Sequence, residues 1–327
     1  MDVEDFARLA ASVEAEVRRV IVGQRDLVRD VLACLFAQGH VLIEGVPGLG
    51  KTVLLRSLSE ALDLEFTRIQ CTPDLMPADV VGTTVLGDGA ERSFQPGPVF
   101  TQLLLADEVN RATPKTQSAL LEAMAERRVT VGGVTRDLPD PFFVMATQNP
   151  IEMEGTYPLP EAQLDRFLAK VLVPLPPADD LVEILARTTG VAEARPNRVA
   201  GTVQLRAAAA LIREVPMASH VTRHVVDLVG ATHPRSLLAP EPISRYVRHG
   251  ASPRGAQSLV LLAKAYALLD GRLQVSVSDV RAAAAPCLRH RLVLGYEALA
   301  SDVNADQLVA TLLEAVGVPS PPVKGAV

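Results

Sequence analysis

The stretch GVPGLGKT (45–52) decides the fold. It fits the pattern G-x-x-x-x-G-K-[S/T], with Gly45, Gly50, Lys51 and Thr52 in the required places and Val46, Pro47, Gly48 and Leu49 between them. Glycines let a backbone curl until several N–H groups point inward, which is how a loop cradles a phosphate. The flanks agree. HVLIEG (40–45) is a short apolar run, read as a buried strand, and a helix is predicted from Lys51 to about Leu62. The helix would turn its positive N-terminal end to the anion. Lys51 is expected to reach the β- and γ-phosphates and Thr52 to ligate Mg²⁺, with Val53 counted among the nucleotide-binding residues. A glycine-rich turn with a chance lysine is the bland alternative. The strand and helix on either side count against it.

Working outward, LLLADE (103–108) is an apolar run ending in two acids. A buried strand presents such acids at its C-terminal edge, where open α/β sheets bind ligands. Asp107 is expected in the Mg²⁺ shell, with Glu108 orienting and deprotonating the attacking water. An Asp-Glu pair alone is common on solvated surfaces; beside a phosphate loop it points to an NTPase.

Further strands are read at LEFTRIQCT (64–72), FFVMAT (142–147) and KVLVPLP (170–176). Helices are read over the first ~20 residues, by their apolar spacing, and at 114–128, where Pro114 suits a first turn. VTVGGVT (129–135) reads as a hairpin turning at Gly132-Gly133, and 74–98 as loops with room for another small hairpin. Strands alternating with helices imply an open parallel α/β sheet. After Pro176-Pro177 come helical segments at 178–190, 203–214, 219–231, 255–270 and 278–285. The expected organisation is an α/β nucleotide-binding domain over 1–176, a smaller all-helical domain over 177–316, and a disordered tail over 317–327.

Composition narrows the function. The net charge is −6, aromatics are 4% and Trp is absent, so neither the basic footprint nor the stacking platforms of a nucleic-acid binder are evident. Cys34, Cys71 and Cys287 are far apart without a CxxC pair, which favours reduced thiols. No signal-peptide pattern opens the chain, and no apolar run approaches the roughly 20 residues of a membrane span, so a cytoplasmic protein is expected. His220 and His224 share a helix face, but HVTRH lacks the glutamate of a zinc motif. Asp179-Asp180 reads as a helix start and 122–128 as a solvated helix face.

Longer runs carry a resemblance. VIVGQ (20–24), GVPGLGKT, LADEVNRATPKTQSALLEAMAERRVTVGG (105–133), ATQNPIEMEGTYPLPEAQLDRF (146–167) and HGASPRG (249–255) together resemble the MoxR family of AAA+ ATPases, from about residue 14 to about 290. The resemblance implies an AAA+ P-loop NTPase domain of α/β fold with a parallel sheet, followed by a smaller all-α lid. It places Val22 and Gly23 near the adenine and Asn149 as the sensor-1 residue beside the attacking water. Arg166 looks like an arginine finger offered to a neighbouring subunit's γ-phosphate, and Arg254 like the sensor-2 arginine on the lid. Residues about 74–96 look like an insert in the second helix and 129–137 like the hairpin before sensor 1. ATP, Mg²⁺, a ring homo-oligomer of six, a partner with a von Willebrand factor A domain and a chaperone-like role toward protein clients are also implied.

Each of the three polar residues has a plainer reading. Asn149 could be a turn-former before Pro150, and Arg166 or Arg254 an ordinary surface arginine. Guanidinium is always charged and forks onto oxygens, which is what a finger needs. Arg254 follows Ser252-Pro253 at a helix start, where a positive charge is slightly unfavourable, so a ligand-facing role suits it better than a stabilising one. Three functions compete: an ATP-driven remodeller of proteins, an AAA+ motor on nucleic acid, and a nucleotide-gated scaffold without turnover. Lys51, Asp107 and Glu108 together argue against the last, and the acidic balance against the second.

Overall fold

Apolar runs bounded by turn signals become a five-stranded sheet: β1 (Val41–Glu44), β2 (Phe66–Gln70), β3 (Leu103–Asp107), β4 (Phe143–Gln148) and β5 (Ala169–Leu172). This computed structural model describes residues 1–86, 92–150, 155–190 and 194–318. The strand order is β2-β3-β4-β1-β5, and every neighbouring pair is parallel. The chain leaves β1, passes over two strand positions to β2, and returns, which opens a crevice at the C-terminal ends of the central strands.

Alternation across the pleat explains why both faces are covered. Val41, Ile43, Leu103, Leu105, Phe143 and Met145 face one hydrophobic cluster, while Leu42, Leu104, Ala106, Val144 and Ala146 face another. The first cluster takes in α1 (Val3–Arg18), α2 (Arg25–Phe36) and α3 (Lys51–Leu62). The second lies under α4 (Pro114–Glu126), which starts with Pro at its first turn and a Thr113 side chain accepting from Thr116 N. His40, at the start of β1, accepts from Val144 N (3.0 Å) and bonds Met124 O (3.0 Å); burial lowers its pKa to about 4 and keeps it neutral.

Beyond the sheet come α5 (Ala178–Thr188), α6 (Thr202–Glu214), α7 (Ser219–Ala231), α8 (Pro253–Leu269), α9 (Val277–Leu288) and α10 (Ala305–Val316), the last three of them in the helical lid. Capping boxes open α9 (Ser276 and Asp279) and α10 (Asn304 and Gln307), which satisfies backbone donors at those starts. Among the described residues, the lid is helical apart from a small ribbon, Val247–His249 paired antiparallel with Val293–Leu294. The same hydrophobic cluster holds Phe6 and Val31 together with Leu262, Cys287 and Leu312, so packing is continuous across the change of pattern near residue 176.

The hairpin at Gly132-Gly133 is present, between Arg128–Val131 and Val134–Asp137. The second hairpin also forms, Gly82–Leu86 with Arg92–Pro96, after a short helix at Pro77–Val81. Five helices among the described residues went unread in the sequence: α2, α10 and the short ones at Pro77–Val81, Glu241–Tyr246 and Tyr296–Ala300. In α2 no side chain caps the start and its last residues are all apolar, so neither a stop-start signal nor a period marks it. Arg127, expected on a solvated helix face, instead ends α4 in the left-handed region (φ 53°), half-buried, and donates to Gln38 O (2.8 Å). Most of the expected disordered tail, 319–327, lies outside the described residues.

Candidate nucleotide site

The phosphate-loop residues sit at the C-terminal end of β1. Gly48 (φ +85°) and Gly50 (φ +77°) take conformations that strain any residue with a Cβ, and they open into free space. Gly50 caps α3 without a side-chain bond, and the first turn of α3 holds no acid. Its leading N–H groups and positive dipole end therefore face a cleft of about 360 Å³. Gly45 and Pro47 through Val53 line this cleft; Val46 does not.

The opposite wall comes from the ends of β2, β3 and β4: Arg68, Gln70, Asp107, Glu108, Thr147, Gln148 and Asn149. The loop lysine, both strand-end acids and Asn149 are thus brought into one space. Lys51 Nζ donates to Gly45 O. Burial lowers the Lys51 pKa, opposed by the nearby charges of Asp107, Glu108 and Glu44. Asp107 accepts from the Thr147 hydroxyl on one oxygen (2.6 Å) and from Arg68 on the other (2.6 Å). Glu108 stands in the left-handed region (φ 55°), an uncommon place for a non-glycine residue and a mark of a constrained site. Its N–H donates to Thr147 Oγ1 (2.8 Å), and one carboxylate oxygen takes Gln70 (2.8 Å) and Arg111 (3.1 Å). Asn149 is buried, which suits a fixed polar group better than a surface turn-former.

Thr52 and Asp107 offer a hydroxyl and a carboxylate, the hard oxygen donors Mg²⁺ prefers, and both line the same cleft. A second cavity of about 260 Å³ shares Thr52 and Val53 with this cleft and is closed by Val20, Arg56 and Arg195 among others. Val22 and Gly23 line neither space. Val22 is buried, and Gly23 (φ +62°) lies so close to Asp180 that a Cβ there would come within 2.0 Å of its carboxylate.

Arg166 and Arg254 are elsewhere. They line a separate cleft of about 270 Å³, between core and lid, together with Arg127 and Gln38. Among the described residues, neither the Arg166 nor the Arg254 guanidinium has an acidic partner. The one acid of that cleft, Asp165, is taken by Arg291 (2.7 Å). Sequence reading missed Thr147, Arg68, Gln70, Arg111, Arg127 and Arg291. A Thr closing the apolar run FFVMAT, and alternating polar residues in FTRIQ, were the available signals for the first three.

Residues 40–169 match the model of the ATPase family associated with various cellular activities (AAA), and 242–312 match the AAA lid domain. The chain is 43% identical over 305 residues to Chaperone MoxR1 of Mycobacterium tuberculosis, covering 93% of this chain and 81% of that one. It is 33% identical over 335 residues to Protein MoxR of Paracoccus denitrificans, covering 96% of each. The chain belongs to the MoxR family of AAA+ ATPases. Another relative is the uncharacterized protein YeaC of Bacillus subtilis, 41% identical over 322 residues and 97% of both chains. The crystal structure of a candidate ATPase from Cytophaga hutchinsonii superposes with a TM-score of 0.91 at 37% identity, covering 97% of each chain. The MoxR fold, an α/β AAA+ domain with a helical lid, therefore extends over essentially the whole chain. No helix among the described residues is long and apolar enough to cross a membrane.

Proposed function

We propose that this MoxR-type chain hydrolyses ATP with Mg²⁺ at interfaces between copies of itself, in a ring. In this reading Gly45–Val53 hold the triphosphate, Lys51 neutralises its outer phosphates, and Thr52 and Asp107 hold the ion. An ion held there would supply positive charge beside the phosphates. Glu108 takes the proton of the attacking water, and Asn149 fixes that water's place. Arg166 and Arg254 stabilise the charge on the γ-phosphate of a nucleotide held by a second copy.

The observation that carries the reading is the separation of the two halves. The lysine and acids line one cleft, while Arg166 and Arg254, which have no acidic partner among the described residues, line another. Positioning and charge neutralisation supply nearly all of phosphoryl-transfer catalysis, so both halves must meet at one phosphate. Two copies side by side bring them together. The work done would be remodelling or activation of protein clients, in line with the chaperone name of the Mycobacterium tuberculosis relative, and the same reading includes a von Willebrand A-domain partner. The motor-on-nucleic-acid alternative predicts steeply salt-dependent polynucleotide binding.

Mixed assemblies test the shared site. Arg166→Ala and Glu108→Gln chains each lack a different half, so each alone should be slow, and mixtures should regain turnover. Assemblies shown by mass to be mixed, yet no faster than either parent, would overturn the trans role of Arg166.

A further inference from the structure

Arg291 follows α9 and its side chain is 2% exposed. Its Nε donates to Asp165 Oδ1 (2.7 Å). One terminal nitrogen donates to Asp165 O (3.1 Å), Phe167 O (2.7 Å) and Ser258 Oγ (3.0 Å); the other donates to Cys287 O. A guanidinium is a rigid planar fork of five donors. Here the fork grips the backbone on both sides of Arg166 and reaches the lid helix that carries Arg254.

The lid side is shaped to receive it. Gly255 and Ser258 are three apart on α8 and share one helical face. A Cβ at Gly255 would lie 3.1 Å from Arg291 Cδ and 3.0 Å from Ala251 Cβ, so glycine leaves room for the arginine stem. A second link runs in parallel. The other Asp165 oxygen accepts from Ser252 Oγ (2.7 Å), and that hydroxyl also caps Arg254 N (3.1 Å). Both oxygens of Asp165 are therefore occupied by groups of the lid. Burying a charged pair is costly, and a well-packed apolar side chain often stabilises as well. What the pair provides beyond that is fixed geometry between two pieces of chain.

We propose that Arg291 is a positioning residue that locks the Asp165–Leu168 turn to the start of α8, so that Arg166 and Arg254 are presented as one unit and a displacement of the lid moves both. The proposal rests on the reading that these arginines serve a nucleotide held by a second copy.

The test compares Arg166→Ala, Arg291→Met, Arg291→Lys and the Arg166→Ala/Arg291→Met double variant. Steady-state ATP turnover and the affinity for a fluorescent ATP analogue are measured on each. Arg291→Met should keep nucleotide affinity within about threefold while kcat falls at least about tenfold, because only a transition-state contact is lost. Arg291→Lys, with charge but no fork, should recover part of kcat. The double variant should be no slower than Arg166→Ala within about twofold, since coupled residues are non-additive. A merely structural arginine would instead lower kcat by the same factor on both backgrounds, and that multiplicative result overturns the proposal. Slow Arg166→Ala beside full-rate Arg291→Met also overturns it and leaves the shared-site reading standing. Full-rate Arg166→Ala removes the shared-site reading itself. Should Arg291→Met fail to fold, Ser252→Ala breaks only the second link: a lower kcat, non-additive with Arg166→Ala, supports the unit, and an unchanged kcat sinks it.

Discussion

Thr147→Val deletes one oxygen at the centre of the nucleotide cleft and almost nothing else. Thr147 is 1% exposed, and its hydroxyl does two jobs at once: it donates to Asp107 (2.6 Å) and accepts the Glu108 N–H (2.8 Å). The first is a hydrogen bond to a charged group, about 1.5–3 kcal/mol, and losing the second strands an N–H, about 1–3 kcal/mol. The two losses share one atom and do not simply add, so about 3–4 kcal/mol is the reasonable total. At roughly 1.5 °C per kcal/mol for a chain of 327 residues, the melting temperature should fall by about 4–6 °C. Glu108 also loses the contact that holds its left-handed backbone, and Asp107 loses the one that orients its carboxylate. If about 2 kcal/mol of the loss falls on the transition state, turnover drops roughly 30-fold. Thermal melting and ATP turnover on Thr147→Val, with Thr147→Ser as the hydroxyl-retaining control, measure both. A valine variant that melts within about 1 °C of the parent and turns over within twofold would refute the reasoning, since each lost bond alone should exceed that.

Other outcomes follow from the same geometry. Lys51→Ala should abolish binding of a fluorescent ATP analogue, and unchanged affinity would remove the phosphate-loop assignment. Asp30 is half-buried on α2 with its carboxylate accepting from the Tyr266 hydroxyl, and desolvation raises its pKa to about 6. The native state therefore binds that proton more tightly than the unfolded chain, and stability from this group falls as pH rises from about 4 to about 6. His40 acts in the opposite sense: its folded pKa of about 4 makes stability rise as pH climbs toward its ordinary value of 6.5. Urea midpoints of Asp30→Asn should thus climb more steeply between pH 4.5 and 6 than those of the parent; parallel profiles would contradict the assignment. Gly23→Ala should lower the melting temperature, because its φ is +62° and its Cβ would meet Asp180 at 2.0 Å. Adding Asp180→Ala should return the part due to the clash, and no recovery would mean that backbone strain alone is responsible.

The central sheet and its ligand edge were legible because each strand is a local apolar run closed by turn residues. GVPGLGKT and LLLADE needed only neighbours a few residues away to be read. α2 was not legible, because its helical state is imposed by burial: eight of its twelve residues are buried, and no cap announces it. The Thr147 bracket and the Arg291 clamp were hidden for a different reason. Their partners lie 39 and 40 residues away in the first case and 126 in the second, so no window of sequence contains both ends.

The stretch from Gln148 to Phe167 shows the division most clearly. By itself the sequence determined that Lys51, Asp107, Glu108 and Asn149 belong to one sheet edge, because strand ends carry their side chains there by local geometry. It also marked Arg166 and Arg254 as candidates. Only the tertiary structure decided that those two arginines share a cleft with Arg127, away from the phosphate loop. That placement depends on how the lid packs against the core through α1, α2 and the buried Arg291. Packing of that kind is settled by shape and by the satisfaction of one buried charge, neither of which leaves a periodic trace in the chain.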